Sequence, residues 1–186
     1  MPTNAMDLRT AETRVLDAAA RLFYARGVQT VGMDDIRDAS GVSLKRLYQL
    51  FPNKEHLVTA YLRRRDVWWR ARLAEHVATV DDPRQRPLAV FDWMDGWFHE
   101  PDYRGCAWIN CYGELGATSR AVAEEARTHK EGFGAFLRAL AVDAGLPADT
   151  GDHLLLLAEG AIVTSALTGD LDAARKARAA AAKLVG

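Results

Sequence analysis

Lysine, arginine and glutamine side chains occupy one face of a short predicted helix near the N-terminus. Lys45, Arg46 and Gln49 follow Ser43, and Leu47 in the same segment is expected to face inward. Arginine or lysine can donate hydrogen bonds to guanine O6 and N7, and glutamine can pair with adenine. Because an α-helix fits the major groove of DNA, these residue types at this spacing predict a helix that reads bases.

Side chains around this segment could hold DNA phosphates. Arg37 precedes it, Tyr48 lies within it, and Lys54 follows it at the start of the next predicted helix. Phosphate oxygens accept hydrogen bonds from such side chains and from the first N–H groups of a helix. An ordinary helical hairpin explains the apolar spacing equally well, but it does not explain the flanking cations.

The charge distribution favours the same interpretation. The 186 residues have a formal net charge of −1, yet residues 1–66 carry 11 basic and 8 acidic side chains, and residues 67–186 carry 13 and 17. A basic segment on an otherwise acidic chain is typical of a polyanion-binding module with a neutral or acidic partner domain. A solvated basic face is the alternative.

Helical periodicity runs through the sequence and positions these residues. Apolar residues at 15, 16, 19, 22 and 23 line one face of a first helix, which Gly27 ends. Helices are predicted at 33–39 and 44–50 around the turn at 40–42, and Asn53 caps a long helix that runs to about residue 80. Further helices are predicted at about 84–99, 106–117, 119–144, 149–168 and 171–185. No strand pattern is visible, so the predicted fold class is all-α with an N-terminal helix-turn-helix.

Residues 9–60 resemble the DNA-binding domain of the tetracycline-repressor (TetR) family of bacterial transcriptional regulators. The matching residues are Ala18-Ala19-Ala20-Arg21-Leu22-Phe23, Gly27, Asp35-Ile36, Ala39-Ser40-Gly41-Val42-Ser43 and Leu47-Tyr48-Gln49-Leu50-Phe51-Pro52-Asn53-Lys54-Glu55. The resemblance implies a DNA-binding domain at 8–56 and a helical-bundle domain for ligand binding and dimerisation at 57–186. It also implies a homodimer whose recognition helices enter successive major grooves of a palindromic operator in double-stranded DNA.

The resemblance assigns roles to single residues. It makes Ser43 the start of the recognition helix, and it makes Tyr48 and Lys54 phosphate contacts. Thr30 is included as a hydroxyl group that could replace one missing from positions 31 and 32. The predicted DNA-binding residues are Thr30, Arg37, Ser43, Leu44, Lys45, Arg46, Tyr48, Gln49 and Lys54.

The sequence departs from the family pattern near these contacts. Val31 and Gly32 stand where relatives usually have Thr or Ser, so a hydroxyl contact to phosphate is lost there. Arg37 replaces a usual Ala and could restore such a contact. Lys45 and Arg46 stand where a small residue and a Thr or Ser are usual, and we expect these two cations to favour half-sites that contain guanine.

Aromatic residues are concentrated after residue 66. A cluster of this kind forms either a core or the wall of a ligand cavity between helices. The predicted pocket residues are Trp68, Trp93, Trp97, Trp108 and Tyr112. Asn110, Glu114 and His129 are candidate polar groups of that cavity, with a buried hydrogen bond or a surface position as the alternative.

The segment at 149–168 is apolar on most of its sides and must pack against another element. Small and apolar residues allow helices to approach closely across a two-fold axis. The predicted dimer interface contains Leu154, Leu157, Ala161 and Ser165. A helix buried inside a monomer is the alternative.

Other classes of protein find little support. The sequence lacks GxSxG, P-loop, GxGxxG and HExxH motifs, so we predict no enzyme and expect no cofactor or metal site. Cys106 and Cys111 are expected to be small buried side chains, with a thiol sensor as the alternative. The uncharged stretches are too short to cross a membrane and no basic-then-apolar leader is visible, so a cytoplasmic protein is expected.

These patterns together predict a ligand-responsive DNA-binding transcriptional regulator that leaves its operator when a small apolar or aromatic effector binds, and the resemblance implies that it is a repressor. The alternative is a helical small-molecule-binding or adaptor protein that has lost sequence-specific DNA binding. Positions 31 and 32 are the one indication in favour of that alternative.

Overall fold

The computed structural model describes residues 5–186, with side chains from residue 8 onward, and this part of the chain is all-α, as predicted. The helices are α1 (Ala5–Arg26), α2 (Met33–Ser40), α3 (Leu44–Leu50), α4 (Lys54–Ala78), α5 (Arg86–Phe98), α6 (Ala107–Leu115), α7 (Arg120–Asp143), α8 (Ala148–Thr168) and α9 (Ala173–Val185). None of the helices among these residues is both long enough and apolar enough to span a bilayer.

Short-range signals in the sequence fix the ends of the first helices. Gly27 and Gly41 have φ angles of +83° and +67°, a left-handed conformation that favours glycine, and their N–H groups close the last turns of α1 and α2. Asn53 caps α4, because its Oδ1 atom accepts a 3.0 Å hydrogen bond from the His56 N–H. α4 ends near the predicted position, at Ala78.

Two compact units make up the chain. The first contains the residues up to Asp66 together with Ala107–Ala126, so it includes α1, α2, α3 and α6. The second contains Val67–Cys106 and Arg127–Gly186, and α4 and α7 contribute residues to both units. The domains predicted at 8–56 and 57–186 assign α6 to the second domain, whereas this division groups α6 with the helix-turn-helix.

The core of the first unit holds the helix-turn-helix on α1. α2 and α3 pack on each other and on α1. Val15 and Ala19 of α1, Ile36 of α2 and Leu47 of α3 are fully buried. Burial of an isoleucine or leucine side chain contributes about 1.5–3 kcal/mol, so these residues fix the orientation of the short α3.

The second unit has an aromatic core around Trp69 of α4. The ring centroids of Trp93 and Trp97 lie 5.1 and 5.9 Å from that of Trp69, and those of His129 and Phe133 lie 5.0 and 5.1 Å away. These four contacts are edge-on, a geometry that adds about 0.5–1.5 kcal/mol per aromatic pair beyond area burial. In the same unit, α9 packs against both α5 and α8.

Candidate nucleic-acid interface

Helix α3, the predicted recognition helix, presents polar side chains outward and one leucine inward. Leu47 is fully buried, whereas Lys45, Tyr48 and Gln49 are exposed. Leu44 and Arg46 are half-buried at the edge of this face. The structure therefore brings the predicted base-reading residues onto one side of one helix, with an apolar anchor on the other side.

Ser43 begins α3, as predicted. Its Oγ atom accepts a hydrogen bond from the Arg46 N–H at 3.4 Å, which satisfies one of the unpaired donors of the first turn. Before it, the Ser40 hydroxyl oxygen accepts from the Val42 N–H at 3.2 Å. These local bonds, with the left-handed Gly41 between α2 and α3, set the angle at which α3 leaves α2.

Arg37 points toward carboxylates of its own helix. Its Nη1 atom lies 2.7 Å from Asp34 Oδ1, and its Nε atom lies 2.9 Å from Asp38 Oδ1. The hydrogen bond to Asp38 is the main reason that the pKa of Arg37 is raised. A DNA phosphate would have to compete with both carboxylates, so the predicted contact requires this side chain to rearrange.

Thr30 is exposed, but its hydroxyl group already has a partner. The hydroxyl donates a 2.7 Å hydrogen bond to the Arg26 carbonyl oxygen at the end of α1. A hydroxyl has one proton to donate, so a Thr30 contact to phosphate would replace this bond.

Lys54 is half-buried in the first turn of α4. Burial lowers the pKa of Lys54, and the nearby carboxylates of Glu114 and Asp35 oppose that change. The net effect is a lowered pKa of Lys54, and the predicted phosphate contact lies near two acidic groups.

Glu114 has a role that the sequence did not indicate. The sequence predicts it as a candidate polar group of the ligand cavity, but its carboxylate accepts hydrogen bonds from the N–H groups of Val28 at 3.0 Å and Gln29 at 2.6 Å. It therefore binds the turn between α1 and α2. No short-range pattern predicts this contact, because at least 85 residues separate the partners.

The predicted pocket residues do not share one environment. Trp93 and Trp97 are buried in the aromatic core of the second unit, whereas Trp68 is 45% exposed, with the Arg72 guanidinium over its ring. Trp108 and Tyr112 belong to the first unit, where Trp108 is buried and Tyr112 is 56% exposed.

A cavity of about 100 Å³ lies in the second unit. It is lined by Trp69, Arg70, Leu73, Ala74, Phe133 and Phe136. None of the predicted pocket residues lines it, although Trp93 and Trp97 contact Trp69 from the core side. Its α4 residues recur with helical spacing, but the contribution of α7 depends on tertiary packing.

The predicted dimer residues on α8 require a correction. Leu154, Ala161 and Ser165 are buried within the chain itself, and the Ser165 hydroxyl is hydrogen-bonded to Tyr103 at 2.7 Å. Only Leu157 of the predicted set is half-buried. The face predicted to meet a partner is mainly the face that packs inside the subunit, because α8 is apolar on most sides and its sequence does not identify the inner one.

Both cysteines are buried, as expected. Cys106 immediately precedes α6, which begins at Ala107, and Cys111 lies on that helix. Lys130 Nζ lies 3.4 Å from Cys106 Sγ and within 2.7 Å of both carboxylate oxygens of Glu159.

The fold and the polar face of α3 define a helix-turn-helix protein. Residues 15–61 match the family model described as bacterial regulatory proteins, tetR family. The chain is 38% identical over 78 residues to an uncharacterized HTH-type transcriptional regulator of Mycobacterium tuberculosis, a match that covers 42% of this chain and 39% of the relative. It is also 38% identical over 86 residues to the HTH-type transcriptional activator FasR of Mycolicibacterium smegmatis, covering 44% of this chain and 39% of FasR.

The HTH-type transcriptional repressor KstR2 of Mycobacterium tuberculosis is 32% identical over 77 residues, covering 41% of this chain and 38% of the repressor. The matches thus span about two fifths of the length of these relatives. A TetR-family transcriptional regulator of Streptomyces coelicolor has a similar structure, with a TM-score of 0.87, 26% identity and 95% of each chain covered. The predicted resemblance is confirmed, because the N-terminal residues match the tetR family model and the fold is similar to that of a TetR-family transcriptional regulator.

Proposed function

We propose that this protein is a homodimeric transcriptional repressor that binds a palindromic operator through α3 and releases it when a small apolar or aromatic effector binds. The observation that carries the proposal is the two-sided α3. Its buried Leu47 fixes the helix on the core, and Lys45 and Gln49 remain exposed. Such side chains suit hydrogen bonding to base edges in the major groove.

The exposed side of α8 supports a dimer. Leu156, Gly160, Val163 and Leu167 recur at i, i+4, i+7 and i+11, which places them in one stripe along the helix. Leu156 and Leu167 are 72% and 82% exposed. Apolar residues left in water at this spacing form a seam for a helix of a second copy, and the two-fold symmetry of a palindromic site requires such a copy.

The cavity in the second unit suits the proposed effector. Its walls are aromatic and aliphatic, and Arg70 is the one charged residue among those that line it. Arg70 donates a 2.8 Å hydrogen bond to the His129 carbonyl oxygen, which holds its guanidinium beside α7. An aromatic compound of one ring is the class that such walls and this volume favour.

Release follows from linkage between effector and DNA. Two recognition helices can bind together only when their separation is close to one turn of DNA, about 34 Å. An effector that binds more tightly to a dimer with another separation must weaken DNA binding by the same factor. We favour repression over activation, because a protein bound at the operator can exclude RNA polymerase without any further contact.

The salt dependence of DNA binding tests the proposal. Fluorescence anisotropy with a labelled duplex measures the affinity of the full chain between 50 and 200 mM salt, conditions over which a protein with 6–10 phosphate contacts loses about 10³–10⁵ in affinity. A steep linear fall of log K against log salt supports the proposal. Undetectable binding at 50 mM salt contradicts it and favours a protein that has lost DNA binding.

A further inference from the structure

Glu114, at the end of α6, makes a three-bond connection to the turn between α1 and α2. Its carboxylate accepts the Val28 N–H at 3.0 Å and the Gln29 N–H at 2.6 Å, and its carbonyl oxygen accepts from Gln29 Nε2 at 2.7 Å. All partners belong to the first unit. Hydrogen bonds to an ionised carboxylate are about twice as strong as neutral ones, so the two bonds to the Glu114 carboxylate hold this turn strongly.

The turn is shaped to receive an anion. Gly27 is left-handed with φ +83°, and the two N–H groups that follow it point to the same carboxylate. Consecutive N–H groups after a left-handed residue form a concave anion-binding site. A Cβ atom at Gly27 would lie 3.0 Å from Glu114 Oε1, so the close approach also requires glycine.

The same carboxylate acts on a predicted phosphate contact. The Glu114 charge opposes the effect of burial, which lowers the pKa of Lys54. Thr30 follows the clamped residues Val28 and Gln29 directly, and α2 begins three residues later. One side chain from α6 therefore holds the turn that leads into α2.

We infer that Glu114 is a positioning residue for DNA binding, through which α6 fixes the turn before the helix-turn-helix. This inference rests on the proposed DNA-binding function. It predicts that operator affinity depends on the Glu114 carboxylate as well as on the residues of α3.

Glu55 provides a matched control. Its carboxylate lies in the first turn of α4 and accepts a 3.0 Å hydrogen bond from the Ser119 hydroxyl, at the junction of α6 and α7. Glu55→Gln therefore removes the same charge from the same unit and weakens the hydrogen bond between Ser119 and the first turn of α4. It leaves the turn at Val28 and Gln29 intact.

The first arm of the experiment needs no DNA. Two-dimensional amide NMR of the full chain is recorded against pH for wild type, Glu114→Gln and Glu55→Gln. The Val28 and Gln29 amide shifts should follow one shared titration in wild type and in Glu55→Gln, and lose it in Glu114→Gln, with amide exchange faster by about tenfold or more. If the Val28 and Gln29 amide shifts of the wild type do not change with pH, the proposed connection between Glu114 and this turn is wrong.

The second arm measures operator binding of the same three proteins by anisotropy. Glu114→Gln should bind about tenfold more weakly than Glu55→Gln, in spite of the equal charge change, with both variants folded by circular dichroism. If Glu114→Gln and Glu55→Gln bind the operator with equal affinity, the positioning role is wrong, even if the Val28 and Gln29 amides change in Glu114→Gln. Absence of DNA binding in wild type overturns the proposed function, and the amide titration still decides whether the clamp exists. Where Glu114→Gln fails to fold, Glu114→Asp replaces it with the same two readouts, because the shorter side chain keeps the charge but cannot reach both N–H groups.

Discussion

The backbone N–H of Gly32 donates a 2.7 Å hydrogen bond to the carboxylate of Asp35, three residues further along the chain. Gly32 is the N-cap of α2 and has no side chain to bond the first turn in return. Asp35 therefore supplies the carboxylate half of a capping box on its own. The bond ties the start of the helix-turn-helix to an acidic group.

This bond predicts a dependence of stability on acid. The Gly32 N–H is the main cause of a lowered Asp35 pKa, while burial opposes it and the Arg26 charge adds to it. Because the folded-state pKa lies below the unfolded one, the stabilisation is complete above about pH 4 and is lost as the pH falls through the folded value. Urea unfolding between pH 2.5 and 6 should show a smaller loss of stability for Asp35→Asn than for wild type.

Asp34→Asn is the control for this prediction. Asp34 is in the same first turn of α2 and pairs with Arg37, but it does not bond Gly32. If the two variants flatten the pH dependence equally, the effect is one of charge alone and the assignment to the Gly32 bond is wrong.

Base contacts and phosphate contacts should separate by mutation. Lys45→Ala and Arg46→Ala should each reduce the preference for operator over other duplexes by about 1–3 kcal/mol, because a base-specific hydrogen-bonding group is lost. Lys54→Ala should weaken binding to all sequences alike and reduce the salt slope by about one. Competition anisotropy with operator and scrambled duplexes measures both effects.

Lys183→Ala provides the control, because this exposed lysine lies in the last turn of α9. The assignment of roles fails if Lys54→Ala relaxes sequence preference while the two α3 variants leave it unchanged.

The exposed stripe on α8 predicts how the dimer is broken. Leu156→Glu and Leu167→Glu place charges in the proposed seam, where burial of an unpaired carboxylate costs several kcal/mol. Sedimentation equilibrium at micromolar concentration should give dimers for wild type and the 20.5 kDa monomer for the double variant. Val142→Glu is the control and should remain dimeric, since Val142 is a 58% exposed apolar residue on α7 and not on α8. A double variant that remains dimeric would show that α8 is not the seam.

The cavity beside Trp69 predicts selective loss of ligand binding. Ala74 is exposed at the cavity lining, so Ala74→Trp should fill the space and reduce binding of toluene at least tenfold by ligand-observed NMR. Ala78→Trp, one turn further along α4 and outside the lining, should bind like wild type. Equal binding by both variants would place the ligand elsewhere.

Much of the fold was predictable because short-range signals determine it. Gly27 and Gly41 end helices through their left-handed conformation, and Ser43 and Asn53 begin helices through side-chain caps. Each signal acts within four residues of the backbone it fixes. The polar face of α3 was predictable for a similar reason, because the position of Leu47 defines its inner side.

The remaining features depend on contacts between distant residues. The partners of Glu114 are 85 and 86 residues away, so the sequence placed this residue only in a list of candidate polar groups. α8 is apolar on most sides, and packing alone decides that Leu154 faces inward while Leu156 faces solvent. The cavity joins Trp69 to Phe133, and no spacing along the chain relates these two rings.

Selection of binding sites from a random duplex library tests the central claim most directly, because an inverted repeat is enriched only if both recognition helices bind at once. The protein should enrich an inverted repeat of guanine-containing half-sites with centres about one helical turn apart. Duplexes with five extra base pairs between the half-sites should bind far more weakly, because the second half-site then faces the opposite side of the helix. Two results would contradict binding by two recognition helices of a dimer. One is failure to enrich any sequence, and the other is enrichment of a single half-site whose binding is unaffected by the inserted base pairs.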